Sequence, residues 1–578
     1  MKSKAEKGFF AKITLIAFIL WLFLVPFFWR FDVAQGTYGF YDLFFISNYS
    51  VLHLIVFYVL GAISISFNRH SLWPLLLFAM YFPLIQLVNY PYLTMRDTYL
   101  HAAPTKSLLS NGNLINYKDA EVSSWPGSFY IHGIMTIICG CDLVTANYIL
   151  YFALVAVVAV IAYLFGRLLQ QQSFNLVWLA PFLFLSLFFN HLFDNFHHYS
   201  RTSLAFTLLF IFFFLFFRME SHRGLFLKFL LVCSVIITHP FQSLVLVAFL
   251  LVYIAFNFRV KIFTFAFFSL VGFVGWMLFQ GSSTLSEAIG RLPSFFSSEY
   301  IQPIIETLPT KETLPWIGGL LREYFRYSFL GLFGCVVIAS VILILFKRDK
   351  MNPIIFGLLS FLFSSIVMLS CLLLLPDWHV ARFTPFAAFP LAFSFFVLFE
   401  KLIYKKPVGE FIQLRRILSP KITAILALSF VVSLSATVMV LRFERNFYFG
   451  EMYHPSEMSS LSFFFNHSEN STVTVVSWRT CIYSIYFNEN FAHKLQRVWY
   501  LDLKEFGSNA SKVIFAYTQL ISQSNVVIRG LRDNYTLGGQ LFGDCVLQVI
   551  DDELSLRTFC VFYSNGYYFV HERMDSVS

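Results

Sequence analysis

The chain has 578 residues, 58% of them hydrophobic and only 13% charged, with 75 phenylalanines. A soluble domain carries about 25% charged residues, so a water-solvated globule is excluded. The net charge of +9 does not imply nucleic acid, because Lys and Arg sit in short clusters and form no basic stripe interleaved with aromatics.

Apolar runs of about 18 or more residues without charge read as transmembrane helices. They occur at 13–29, 43–68, 71–95, 143–166, 202–217, 262–286, 354–376 and 422–441, which predicts a polytopic α-helical membrane protein. The first run is span-length and lacks a small-residue cleavage site, so it is expected to stay as an anchor. The lysines of "KSKAEK" place the N-terminus inside. Span one (about 10–29) then exits, span two (about 49–68) returns and span three (about 72–91) exits again.

Residues 92–142 are therefore predicted as a long external loop. It begins "RDTYLH" and contains two short amphipathic stretches, "TYLHAAPTKSLLSNG" and "GSFYIHGIMTIICG". These read as helices lying in the membrane interface. Gly112 is the expected stop of the first, and "WPG" at 125–127 a turn before the second. Span four (about 144–167) returns, span five runs to Asn190, and "NHLFDNFHHYSR" (190–201) is external before span six (about 202–217).

The stretch 224–257 fits either one long helix or two short spans hinged at "THPFQS". One helix would put "KRDK" (347–350) and the basic segment Lys401–Lys421 outside, so charge bias selects the hinged pair, with His239 and Pro240 external. Span nine (about 262–280) then leads to an external loop, 281–326, with five glutamates. Span eleven exits to "PDWHVAR" (376–382), and span thirteen (about 422–441) exits last. About thirteen spans are expected in a membrane domain, 1–441. An external α/β domain, 442–578, would follow, with strands in "STVTVVSW", "SNVVIRG" and "GYYFVHER". The localisation this predicts is a multi-pass cell-membrane protein with a cytoplasmic N-terminus and an extracellular C-terminal domain.

Asn466, Asn470, Asn509 and Asn534 each begin an N-x-[ST] sequon, as an external face permits. Cys481, Cys545 and Cys560 allow at most one disulfide among themselves, and spacing does not select the pair. Cys139 and Cys141 form a C-x-C, a weak metal signal, since structural zinc sites need further Cys or His ligands.

The residues that carry chemistry gather on the predicted outer side. Asp97 follows Arg96 at the end of span three. Tyr99 and His101 come next, then Gly112, then Pro126 with Gly127. This series resembles the first external loop of the GT-C superfamily, membrane glycosyltransferases that use polyprenyl-phosphate-linked sugars. "THPFQS" resembles a histidine-led turn between two of that family's spans. "ARFTPFAAFPLAF" resembles its late Arg-led span, and "FYSNGYYFVHE" the end of the external domain in prokaryotic, especially archaeal, members. The layout covers essentially the whole chain. Two departures bear on function. No adjacent tryptophans correspond to the Trp-Trp-Asp signature of oligosaccharyltransferases. Phe196 stands where a second loop carboxylate would pair with Asp194.

The resemblance implies transfer of one sugar from a polyprenyl- or dolichyl-phosphate donor in the membrane lipid to a glycan, lipid or protein acceptor, with no nucleic acid involved. Asp97 is then the catalytic base that takes the acceptor proton. Arg382, His239, His379, His101 and Arg96 are candidates for the donor phosphate and substrate. No cofactor is required on this reading, although a divalent metal (Mg or Mn) could be held at His191, Asp194 and His198, which fall at i, i+3 and i+7 on one helical face. Each residue also has a plainer reading. Asp97 and Arg96 make an ordinary solvated pair, Arg382 a snorkelling anchor, His239 the cap of a broken helix, and the 191–198 group a hydrogen-bonded cluster. Rival functions are a transporter or flippase of lipid-linked sugars and a non-catalytic scaffold or receptor. Transporters show repeated halves and mid-span ionisable residues, and neither is visible in this chain.

Overall fold

The computed structural model describes residues 4–24, 48–68, 72–89, 96–112, 124–171, 177–189, 199–218, 222–256, 260–282, 356–362 and 388–397, together with strand segments between 473 and 573. The helices in chain order are α1 (Lys4–Phe23), α2 (Asn48–Phe67), α3 (Trp73–Asn89), α4 (Arg96–Asn111), α5 (Gly127–Cys139), α6 (Leu143–Gln170), α7 (Ala180–Phe189), α8 (Arg201–Arg218), α9 (His222–Thr238), α10 (Pro240–Phe256) and α11 (Val260–Phe279). A single 3₁₀ turn, Val177–Leu179, leads into α7.

Among the described residues three helices are long and apolar enough to cross a membrane: Leu143–Gln170, Arg201–Arg218 and Ile262–Phe279. At 1.5 Å per residue, the 28 residues of α6 extend about 42 Å and the 18 of α8 about 27 Å. A hydrocarbon core of about 30 Å fits both. The chain is thus a helical protein of the membrane-associated kind.

Local chemistry sets the helix ends. Gly112 (φ 74°) and Gly140 (φ 59°) take the left-handed conformation that stops α4 and α5. Asp142 caps α6, accepting from the backbone N–H groups of Val144 (2.8 Å) and Thr145 (3.0 Å). Ser200 and Ser203 cap α8 reciprocally: Ser200 N–H donates to Ser203 Oγ (2.8 Å), and Ser203 N–H to Ser200 Oγ (3.2 Å). Between α9 and α10 the chain breaks at His239, where Pro240 cannot continue the preceding helix. The break gives two helices of 17 residues each, the hinged alternative for 224–257.

In lipid, apolar contact alone does not drive helices together, so close packing and internal hydrogen bonds do that work. Phenylalanine supplies most of the packing. Phe389 lies 5.0 Å from Phe165, 5.2 Å from Phe184 and 5.0 Å from Phe210, centroid to centroid, two of the three pairs edge-to-face. The helical stretch 388–397 is thereby fixed to α6, α7 and α8. Phe361 packs 4.2 Å from Phe213, which fixes 356–362 to α8.

Polar bonds link α1, α2 and α3. The Trp21 indole N–H donates to His53 O, and His53 Nε2–H donates to Trp21 O, both at 2.9 Å. The Tyr81 hydroxyl meets His53 Nδ1 at 3.0 Å. This reciprocal latch joins α1, α2 and α3, and His53 is a second donor to the Trp21 carbonyl, which also accepts from Leu24 N–H at 3.1 Å at the end of α1.

Within 473–573, the strands are β1 (Val473–Val475), β2 (Leu495–Arg497), β3 (Lys512–Ile514), β4 (Phe559–Ser564) and β5 (Phe569–Arg573). They form one mixed sheet in the order β2-β1-β3-β5-β4. β1 is parallel to β2 and β3, and β5 is antiparallel to β3 and β4. β1 and β5 fall in two of the alternating stretches read from sequence, while "SNVVIRG" lies outside the described residues.

Candidate functional site

The loop expected between spans three and four folds as two helices. α4 begins at Arg96, so Asp97 is its second residue, and Gly112 ends it. The side chains of Arg96, Asp97 and Tyr99 lie outside the described residues. His101 is half-buried one turn further on. Its carbonyl lies 3.3 Å from the Thr105 hydroxyl oxygen, and its ring lies 6.2 Å from that of Phe129 on α5.

α5 starts at the Trp-Pro-Gly turn, and its sequence divides cleanly by face. Gly127, Ser128, Phe129, His132 and Gly133 are buried, whereas Tyr130, Ile131, Ile134, Ile137 and Ile138 are exposed. Residues three and four apart share a helical face, so α5 carries one apolar outer stripe and one polar-containing inner stripe.

The buried side is organised by His132, which is 1% exposed. Its Nε2 lies 3.0 Å from Leu143 O, which can only accept, so Nε2 carries the proton. Nδ1 is then an acceptor, 3.3 Å from Thr105 Oγ1 on α4. One neutral imidazole thus ties α4, α5 and the start of α6 together. Burial drives its pKa down to about 4, and the Leu143 hydrogen bond only partly opposes this.

Tyr199 packs edge-on to His132 with centroids 5.6 Å apart. Its hydroxyl donates to Ser128 O at 2.7 Å, and Asn147 Nδ2 donates to Tyr199 O at 3.4 Å. Burial raises the Tyr199 phenol, so it remains a donor. The approach to α8 is therefore bonded to both α5 and α6.

The turn at 125–127 is seated on the α9–α10 break. A Cβ built on Gly127 would lie 2.6 Å from Thr238 Oγ1 and 3.2 Å from Ile237 O, so only glycine fits this approach. Trp125 is fully buried, and Trp276 of α11 packs beside it at 6.4 Å while donating its indole N–H to Ser124 O (3.1 Å). At the break itself, His239 Nδ1 accepts from Phe241 N–H at 3.2 Å. His239 is thus the N-cap of α10, with Pro240 at the first helical position, where its missing N–H costs nothing. Any contact with a ligand would have to use Nε2.

The remaining predicted residues, Arg382, His379, His191, Asp194 and His198, lie outside the described residues. Among the described residues no group of three or more His, Cys, Asp or Glu could hold a metal ion. Sequence reasoning passed over His132, Tyr199, Asn147 and Thr238. The available signal was a lone histidine on the polar stripe of an amphipathic helix, and for Tyr199 its place just before a Ser-x-x-Ser cap. No protein-family model matches the chain, and comparison with curated proteins likewise gives no match.

Proposed function

We propose that the chain is a multi-pass membrane glycosyltransferase of the GT-C type, which moves one sugar from a polyprenyl-phosphate donor to an acceptor at the outer membrane face. One observation carries this reading. The Pro126–Gly127 turn and the "THPFQS" break, both singled out by the resemblance and about 110 residues apart, meet so closely that a methyl group would not fit between them. The full layout proposed is about thirteen spans, a cytoplasmic N-terminus and an external α/β domain at 442–578.

In the reaction, the acceptor hydroxyl oxygen bonds to the anomeric carbon as the bond from that carbon to the lipid phosphate oxygen breaks. Asp97 takes the hydroxyl proton, and the leaving phosphate departs with the bonding pair. A single displacement inverts the centre. A phosphate leaving group calls for positive charge more than for a strong acid, a part assigned to Arg382 with His239 and His379. His101 and Arg96 stand on the first turns of α4, beside Asp97 in sequence. Confinement to the membrane edge follows from the donor, whose lipid tail lies in the bilayer.

The test is single-turnover transfer from a polyprenyl-phosphate sugar to a supplied acceptor, with the full chain in detergent. Asp97→Asn is expected to leave donor binding intact and to lower transfer about 10²-fold or more, while Arg96→Gln controls for lost charge. Near wild-type transfer by Asp97→Asn would remove the carboxylate from the chemistry. The same assay with chelator present should retain turnover. Its complete loss, restored by Mn or Mg, would instead promote the His191, Asp194 and His198 face.

A further inference from the structure

We propose that Met135, Cys139 and Cys141 form a binding site for a soft monovalent metal ion, Cu(I), at the exposed end of α5. This inference is independent of the glycosyltransferase reading.

Met135 and Cys139 are four residues apart on α5, so their side chains project from one face. The Cys139 thiol points at the Met135 thioether, Sγ to Sδ 3.7 Å. Gly140 then takes the left-handed conformation (φ 59°), and Cys141 follows it, close enough for the two thiols to interact. Cys139 is exposed, and Cys141 and Met135 are half-buried, so an ion would approach from the Cys139 side.

The spacing suits a shared ion. With metal–sulfur bonds of about 2.3 Å, two sulfurs 3.7 Å apart subtend about 107° at the metal. That angle lies close to tetrahedral and within easy reach of trigonal, so an ion could enter with little movement of either side chain.

The neighbouring groups decide which metal. Asp142 is the nearest carboxylate in sequence, but it is committed to capping. One oxygen accepts from Val144 N–H and Thr145 N–H, and the other from the Thr145 hydroxyl at 2.6 Å. His132, one turn before Met135 on the same helix, has both ring nitrogens engaged, with Leu143 O and Thr105. Among the described residues, then, the nearest carboxylate and the nearest imidazole are both engaged, and two thiols and a thioether are the donors that remain. That set of three soft donors, one of them a thioether, selects Cu(I) over Zn(II), whose closed sites take four Cys or His ligands, and over hard ions such as Mg(II). On binding, each thiol loses its proton to solvent and the two thiolates and the thioether donate to the ion, with no change of oxidation state.

The test is a Cu(I) titration of the reduced full chain in detergent against the chromogenic chelator bicinchoninate. Wild-type protein is expected to hold one more Cu(I) per chain against the chelator than the Cys139→Ser/Cys141→Ser double variant, which controls for the other cysteines. Met135→Leu, similar in volume and apolar, should keep the stoichiometry but weaken binding about tenfold or more. Cys139 is exposed and Met135 and Cys141 are half-buried, so matching size-exclusion profiles are needed to confirm that the variants fold. Equal Cu(I) stoichiometry in wild type and double variant overturns the site. Unchanged affinity in Met135→Leu overturns the three-sulfur assignment, and displacement of Cu(I) by equimolar Zn(II) overturns the choice of metal.

Discussion

Gly127→Ala tests whether the loop helices depend on contact with the α9–α10 break. The added methyl carbon would sit 2.6 Å from Thr238 Oγ1, 3.2 Å from Ile237 O and 3.3 Å from Thr238 Cα. Two of these three atoms are backbone and cannot rotate away. The hydroxyl is held as well, because it donates to Ser234 O at 2.6 Å. Relief must therefore come from shifting α5 against α9, and overpacking of this kind costs about 1–3 kcal/mol. Alanine's better helix propensity, about 1 kcal/mol in a helix interior and less at the first position, offsets part of that. Gly133→Ala on the same helix is the control, since its methyl would meet only side-chain carbons of Leu108, Leu109 and Thr105 at 3.5–3.8 Å, which is ordinary contact. Unfolding free energies from a denaturing-detergent titration should place Gly127→Ala about 1–2 kcal/mol below wild type and Gly133→Ala at or slightly above it. Adding Thr238→Ala to Gly127→Ala should restore only part of the loss, because the two backbone contacts remain. Equal stability of the two alanine variants would refute the proposed close approach.

Two further outcomes are expected. His132 is neutral in both folded and unfolded chains above about pH 6.5; between there and its folded value of about 4, only the unfolded chain takes up the proton. Stability should thus fall by about 3 kcal/mol as pH drops across that window, at 1.36 kcal/mol per unit, and the slope there should be about one proton shallower in His132→Gln. Tyr199, the ring facing it, stays protonated throughout and adds nothing to the slope. On topology, protease added to intact cells should remove a tag placed after Ser578 and spare one inserted at 402–420; protection of the first tag would sink the proposed orientation.

Several features of the fold were legible because one residue type controls each of them. Gly112 marks the end of α4, since only glycine adopts its φ of 74° without cost. The Trp-Pro-Gly turn marks the start of α5. Proline at 240 breaks the 224–257 stretch into two helices. The internal bonding of the loop helices was not legible. His132 reads in sequence as one polar residue in an apolar helix, and nothing local reveals that its partners are Thr105 and the Leu143 carbonyl. Tyr199 is similarly silent, because its hydroxyl bonds a carbonyl 71 residues away. His239 carried two sequence readings, and geometry supplies the capping one through Phe241 N–H. Such contacts depend on how helices are placed in space, and periodicity says which face is buried without saying against what.

These bonds form a continuous path with a mechanical consequence for the proposed chemistry. Trp276 on α11 holds Ser124, Gly127 rests on Thr238, Tyr199 holds Ser128, and His132 reaches Thr105. Thr105 lies on α4, two turns beyond Asp97. A general base works only when held within hydrogen-bond reach of the proton it removes, and an error of about 1 Å in position can cost about 10²-fold in rate. A carboxylate at the start of a helix that floated in the interface would have no such precision. Neutral groups suit the path. A charged pin beside α4 would add its own field to the base, whereas a buried imidazole held well below its ordinary pKa contributes hydrogen bonds and no net charge. On this argument His132 serves position alone, so its replacement should slow the proposed transfer without moving the pH at which Asp97, the proposed base, becomes active.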